Sequence, residues 1–211
     1  FYIVDFLEYS LKMDKFDVFE FLMDYSGFDI DTQYLDQGNY TLLMKIICRD
    51  MNIERILRVL NYTKNINLIS NFGETALYLA VASYSEINEY NENEKREHQN
   101  IIIELLKHGA DANSIMIENA TNQILGDIVI REGMIDVLKL MLEHSKHDIT
   151  NEALYYAIHY GNYDCVEILL NYIKDINIPI YDWMTALQFA LSRGNNRNED
   201  IIELLMLSDT N

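Results

Sequence analysis

The sequence predicts an all-α chain: a single-file stack of about six helix-turn-helix units joined by short hairpin-like turns. Three observations carry that expectation. Short stretches with apolar residues at helical spacing each run out into a polar string, a capping residue recurs ahead of a small-residue helix, and both signatures return at an interval of about 33 residues. With 211 residues, 49% of them hydrophobic, the chain has apolar material for one sizeable core or a row of small ones.

The first signature appears as VFEFLMDYSGFDID (18–31), IERILRVLNYTKNIN (53–67), IIIELLKHGADAN (101–113), VLKLMLEHSKHDIT (137–150) and VEILLNYIKDIN (166–177). Each reads as one amphipathic helix with a polar exit. The second appears at Thr41-Leu42-Leu43, Thr75-Ala76-Leu77, Ala153-Leu154 after Glu152, and Thr185-Ala186-Leu187. Thr41 and Thr75 are 34 residues apart, and Glu152 and Thr185 are 33. A threonine here can accept from the free N–H groups of the first helical turn, which stabilises a helix by about 1 kcal/mol.

Packing follows from residue size. Ala76, Ala80, Ala153, Ala157, Ala186 and Ala190 let the first helix of a unit sit close to its neighbours, and the pairs Leu105-Leu106, Leu169-Leu170 and Leu204-Leu205 are expected to fill the shared core. Gly109 supplies the left-handed residue that stops the helix before it.

These residues carry a resemblance. GETALYLAVASY (73–84) followed by IIIELLKHGADAN (101–113) resembles the two-helix consensus of ankyrin repeats, and REGMIDVLKLML (131–142) and HYGNYDCVEILL (159–170) resemble its middle. The units implied are 1–33, 34–69, 70–114, 115–147, 148–179 and 180–211, forming one repeat domain that could be the N-terminal part of a longer protein. The proline and histidine that follow the capping threonine in that family are missing, their places held by Leu42 and Met44, Ala76 and Tyr78, and Ala186 and Gln188. Softer repeats with mobile edges are expected. Gly126 in TNQILGDIV (121–129) replaces a core leucine, which marks the fourth unit as the weakest. The insertion at 85–99, SEINEYNENEKREHQ, lacks any apolar period and reads as a solvated loop, with Tyr84 and Tyr90 as the anchors if it meets a partner.

Chemistry is expected to be absent. His144 and His147 have no third ligand at a known metal spacing, no phosphate loop, nucleophile elbow or paired-glutamate motif occurs, and no cofactor is implied. His108 and His159 read as surface residues, and Cys48 and Cys165 as small core hydrophobes in a reducing compartment. The formal charge of −18 disfavours nucleic acid and anionic membrane surfaces as partners, and neither a membrane span nor a signal peptide is expected.

What remains is surface. The family's variable contact positions, carried over by resemblance, fall at Gln37, Tyr40 and Arg49; at Asn71, Phe72, Glu74 and Ser83; at Asp148, Ile149, Asn151, His159 and Tyr160; and at Tyr181, Asp182, Met184, Ser192 and Arg193. Phe72, Tyr160, Tyr181 and Trp183 are the expected anchors, since aromatic rings bury much area at little rotamer cost. Trp183 stands where the family usually has a turn glycine. It must alter that tip, or else fold onto the adjacent turn.

The resemblance implies a non-enzymatic protein-binding module whose partner is a host or cellular protein. The Ile-, Asn-, Asp- and Tyr-rich usage resembles poxvirus ankyrin proteins, which implies host-range or immune-evasion work in the infected-cell cytoplasm. Many of those relatives recruit a cullin ubiquitin ligase through a C-terminal F-box-like segment. IIELLMLSDTN (201–211) contains no such segment, so a ligase link would lie outside these residues. A stoichiometric inhibitor or scaffold, or a regulatory domain of a larger enzyme, are the alternatives.

Overall fold

The computed structural model describes residues 2–34, 38–49, 52–85, 87, 91–112, 128–144, 150–193 and 198–208. The chain divides into two compact units, Phe1–Ile117 and Glu118–Asn211.

In the first unit three helix pairs follow one another: α1 (Tyr2–Lys12) with α2 (Phe16–Ser26), α3 (Leu42–Arg49) with α4 (Ile53–Leu60), and α5 (Ala76–Ser85) with α6 (Glu92–Lys107). Stacking is like on like, α3 against α5 and α4 against α6. The consequence shows in α3, whose residues Leu42 to Ile47 are buried on every side. Ala76 and Ala80 are buried as their size requires, and Ile101, Ile102, Leu105 and Leu106 are fully enclosed.

In the second unit a short helical stretch at 128–131 precedes α7 (Ile135–His144). Two pairs follow, α8 (Thr150–Tyr160) with α9 (Tyr163–Leu170) and α10 (Ala186–Ser192) with α11 (Glu199–Ser208). Again α10 packs on α8 and α11 on α9, while α9 also meets α7. Ala153, Ala157, Ala186 and Ala190 are buried, as are Leu169 and Leu205, but Leu170 and Leu204 are only half-buried. One leucine of each of those pairs, Leu170 and Leu204, stays partly exposed. Residues 121–127, including Gly126, lie outside the described residues.

The threonine caps form as their side-chain chemistry predicts. Met44 N–H donates to Thr41 Oγ1 (3.3 Å), Tyr78 N–H to Thr75 Oγ1 (3.1 Å), and Gln188 N–H to Thr185 Oγ1 (3.4 Å). At Thr185 the Gln188 side chain also accepts from the threonine's own N–H, closing a capping box. Gly109 stops α6 with a φ of +86°.

Three expectations need correction. The insertion is not a loop throughout: α6 begins at Glu92, so 92–99 add two turns to a helix. Asn91 caps it, Glu92 and Glu94 sit in its first turn where the helix dipole favours acids, and Lys, Arg, Glu and Gln are strong helix formers. The missing apolar period misled because this segment is held by propensity and capping, with His98 as its buried contact. Tyr84 is buried too, with the Lys95 ammonium 5.5 Å from its ring centre, so it is no exposed anchor. Finally, Cys48 lies at the surface; only Cys165 is a core thiol.

The polar exits do more than turn the chain. Asp31 Oδ2 accepts from the backbone N–H groups of Lys64 (2.9 Å) and Asn65 (2.8 Å). One repeat later, Asn67 Oδ1 accepts from Asp111 N–H (2.8 Å) and its Nδ2 donates to the Gly109 carbonyl (3.0 Å). Each side chain thus satisfies backbone groups in the turn that follows the second helix of the next unit. Charge adds a second tie at the first pair. The buried Lys45 ammonium lies 3.1 Å from Glu8 and 3.7 Å from the Tyr34 ring centre, Arg55 meets Asp14 at 2.9 Å, and Arg58 pairs with Glu20.

Asn67→Ala removes two backbone partners at once, and at roughly 0.5–1.5 kcal/mol per bond a loss of about 1–3 kcal/mol is expected in urea unfolding followed by far-ultraviolet circular dichroism. Truncating exposed Glu54, whose ion pair with Arg58 is 3.8 Å long, should change little.

Candidate functional site: the hairpin tips and the helix ends beside them

Among the described residues, hairpin tips lead into α5 and α10, and the two share one backbone closure. At residues 70–74, Ser70 N–H donates to the Glu74 carbonyl (2.9 Å) and Gly73 N–H to the Ser70 carbonyl (3.0 Å), with Gly73 at a φ of +76°. At residues 180–184, Ile180 N–H donates to the Met184 carbonyl (2.9 Å) and Met184 N–H to the Tyr181 carbonyl (2.7 Å). Here the two central residues are Asp182 at φ +42° and Trp183 at φ +63°. Glycine takes positive φ freely; a large L-residue there is strained by about 1–2 kcal/mol.

The tips of the first unit are tied to each other. Tyr40 hydroxyl donates to Glu74 Oε2 (2.5 Å), which also accepts from Ser70 Oγ (3.1 Å); Asn39 Nδ2 donates to Asn71 Oδ1 (2.6 Å); Asn71 N–H donates to the Gly38 carbonyl (2.8 Å). Gln33 Nε2 bridges the carbonyls of Asn39 (2.9 Å) and Ile69 (2.6 Å). The edges that the missing His and Pro led us to expect as loose are therefore cross-linked by other residues. Phe72 is exposed at this tip, its ring lying against Gly38 so closely that a Cβ there would sit 2.6 Å from Phe72 Cε2. At the other end of α3 and α5, Cys48, Arg49 and Ser83 line a groove of about 650 Å³ whose far wall is the extension of α6, with Asn91, Glu94 and His98. Arg49 also pairs with Glu8 at 2.9 Å.

In the second unit the expected residues meet in one aromatic cluster. Tyr181 stacks on Tyr155 (centroids 4.9 Å apart), Tyr155 lies 5.0 Å from Phe189, and Tyr156 stacks on Tyr160 (6.4 Å), beside which His159 sits edge-on at 5.0 Å. Arg193 reaches back to donate to the His159 carbonyl (3.2 Å) and lies 5.9 Å from the Phe189 ring centre. Met184 and Asn151 are half-buried and Asp182 is exposed. Trp183 is 88% exposed: it does not fold onto the adjacent turn. Gln37, Tyr90, Asp148 and Ile149 lie outside the described residues. Tyr155, Tyr156 and Phe189 escaped the sequence reading. The adjacent tyrosines of ALYYAIHY (153–160) were the available signal, since helical spacing sets 155 beside 159 and 156 beside 160.

The comparison with protein families finds a match over the second unit. Residues 125–211 match the family model for ankyrin repeats, in three copies. No curated protein matches the chain. The helix pairs of the described residues fit an ankyrin-repeat arrangement, and ankyrin-repeat domains are generally non-catalytic protein–protein interaction modules. The matched residues fall within the second unit. The first, with its 101–113 stretch, stacks its helix pairs in the same manner outside the matched span. Among the described residues no three His, Cys, Asp or Glu gather as a metal site, and no helix is long and apolar enough to cross a membrane.

Two titrations report on these sites. Burial, the hydrogen bond to Glu74 and that carboxylate's charge raise the Tyr40 hydroxyl above its ordinary value of 10.0; burial and the charges of Glu8 and Asp5 do the same for Tyr34. Between that ordinary value and the raised one, the unfolded chain loses protons that the native chain keeps, so stability present below pH 10 falls as pH rises further. Chemical-denaturation midpoints should decline more gently above about pH 10 in Tyr34→Phe and Tyr40→Phe than in the unaltered protein. Among the cysteines, burial and the Asp164 charge push the Cys165 thiol up to about 12; partial burial and the Glu74 charge raise the Cys48 thiol too, but its side chain is open to solvent and reagent. Iodoacetamide at pH 8 should modify Cys48 alone in the native protein and both cysteines in urea, read by mass spectrometry.

Proposed function

We propose that this chain is a non-catalytic protein-binding module, acting in the cytoplasm, that engages its partner through the 180–184 tip and the aromatic cluster beneath it. The observation that carries this reading is Trp183. A tryptophan held at a left-handed φ and left 88% exposed offsets its strain with no burial in its own chain. Glycine would be the relaxed choice for the fold alone. A residue kept against that preference, next to the Tyr181–Tyr155 stack and Arg193, has the composition of a binding hot spot, rich in Trp, Tyr and Arg.

The finer version, a viral adaptor that turns a cullin ubiquitin ligase on host proteins, is supported by the resemblance in residue usage to poxvirus ankyrin proteins. Affinity purification from host-cell lysate distinguishes the versions: cullin subunits recovered with the bait favour the adaptor, and one stoichiometric partner without them favours an inhibitor or scaffold.

Trp183→Gly separates binding from folding. Relief of the left-handed strain should leave thermal stability equal or raise it by about 1 kcal/mol, while recovery of the partner falls at least about tenfold. Tyr181→Ala should weaken binding as well. Undiminished partner recovery by both variants would remove this surface from the reading.

A further inference from the structure

The groove between the ends of α3 and α5 and the two added turns of α6 presents hydrogen-bond acceptors. His98 is the most buried of them. It is 8% exposed, and its Nδ1 lies 3.0 Å from the Glu94 carbonyl. A carbonyl only accepts, so Nδ1 carries the proton and the neutral ring keeps Nε2 as a lone-pair acceptor. Among the described residues nothing donates to Nε2, although the ring forms part of the groove wall. A buried acceptor without a donor is unfavourable, and a donor arriving from outside relieves it. Ser83 adds a second acceptor, since its hydroxyl proton is committed to the Leu79 carbonyl (2.8 Å) and its lone pairs remain.

The charge of the groove has the sign that such a donor needs. Glu94 and Glu97 lie four and one residues before His98 on α6, and both carboxylates line the groove. Asn91 Nδ2 donates to Glu94 Oε2, which holds that carboxylate in place. The cations of the same two turns go elsewhere: Lys95 lies over the Tyr84 ring, and Arg96 is not part of the wall. Arg49 does line the groove, but Glu8 of α1 takes its guanidinium at 2.9 Å. Ile47 and Ile87 supply an apolar strip on which a long methylene stem can lie.

We propose that this groove takes an arginine side chain from a basic segment of a partner protein. A guanidinium is all donor, five N–H groups in a planar fork, and can pair with a carboxylate while a further N–H reaches His98 Nε2. A lysine ammonium offers three donors from one point and spans less of the wall. This surface belongs to the first unit and is separate from the 180–184 tip.

A blocked, rhodamine-labelled octapeptide of alternating glycine and arginine, titrated into the whole chain at about 150 mM salt and followed by anisotropy, tests the assignment. It should bind, and at saturation it should slow iodoacetamide modification of Cys48, a residue of the groove wall, at least about threefold. Glu94→Gln combined with Glu97→Gln should weaken binding at least about tenfold. Glu54→Gln combined with Glu143→Gln, an equal change in net charge at exposed sites away from the groove, should alter it less than about twofold. The lysine counterpart of the peptide should bind several-fold more weakly. No binding at millimolar peptide, binding that leaves Cys48 as reactive as before, or equal losses from the two double variants would overturn the proposal. Equal affinity for the lysine peptide would overturn the choice of arginine.

Discussion

No helix pair of this protein encloses a core by itself. Two short helices in contact bury one stripe each and leave the other side wet, so the stable arrangement is one in which the next pair supplies the missing wall. Small residues make that wall reachable. With Ala76 and Ala80 on α5, and Ala157, Ala186 and Ala190 on α8 and α10, successive first helices approach closely enough to exclude water, and α3 between its neighbours is buried from Leu42 through Ile47.

Apolar stacking fixes distance but not register. Side-chain-to-backbone bonds supply the register, because they connect atoms one repeat apart and tolerate no sliding. Asp31 reaches 64–65, and Asn67 reaches Gly109 and Asp111. At the hairpin tips, Tyr40, Asn39 and Gln33 perform the equivalent task toward 69–74. The repeats have thus kept the cross-ties of their architecture while changing the residues that make them.

What the sequence discloses follows from this division. Helix pairs, threonine caps, buried alanines and the glycine stop are local or periodic properties, and each could be read from residue type and spacing before any coordinates. Cross-repeat bonds could not. Nothing in the string GADAN says that Asn67, more than 40 residues earlier, holds its backbone. The insertion misled for the opposite reason: its helix rests on capping and propensity, while apolar period was the property sought. Among the contact positions, resemblance placed Tyr160, Tyr181 and Arg193 where a cluster does form, yet it had no means of seeing Tyr155 join Tyr181 to Phe189 across two units. The reading of the insertion as a loop offered Tyr84 as an anchor, whereas on α5, with Lys95 of the lengthened α6 near its ring, it is buried.

The strained tip bears on how such a scaffold can change function without losing its fold. Because cohesion comes from helix faces and register from a few polar ties, the two central residues of a hairpin tip contribute little to either. A glycine at 73 and a tryptophan at 183 both take positive φ in tips closed by an equivalent outer bond, Ser70 N–H to the Glu74 carbonyl in one and Ile180 N–H to the Met184 carbonyl in the other. The backbone tolerates both, and the difference between them is about the 1–2 kcal/mol of left-handed strain. A stack with several buried interfaces can absorb that cost at one exposed position, whereas the same strain inside α3 or α5 would act on packing shared by three helix pairs. Variation in what such a protein binds is therefore cheapest at the tips and most expensive at the alanine faces, and the residue types found at each follow that ordering.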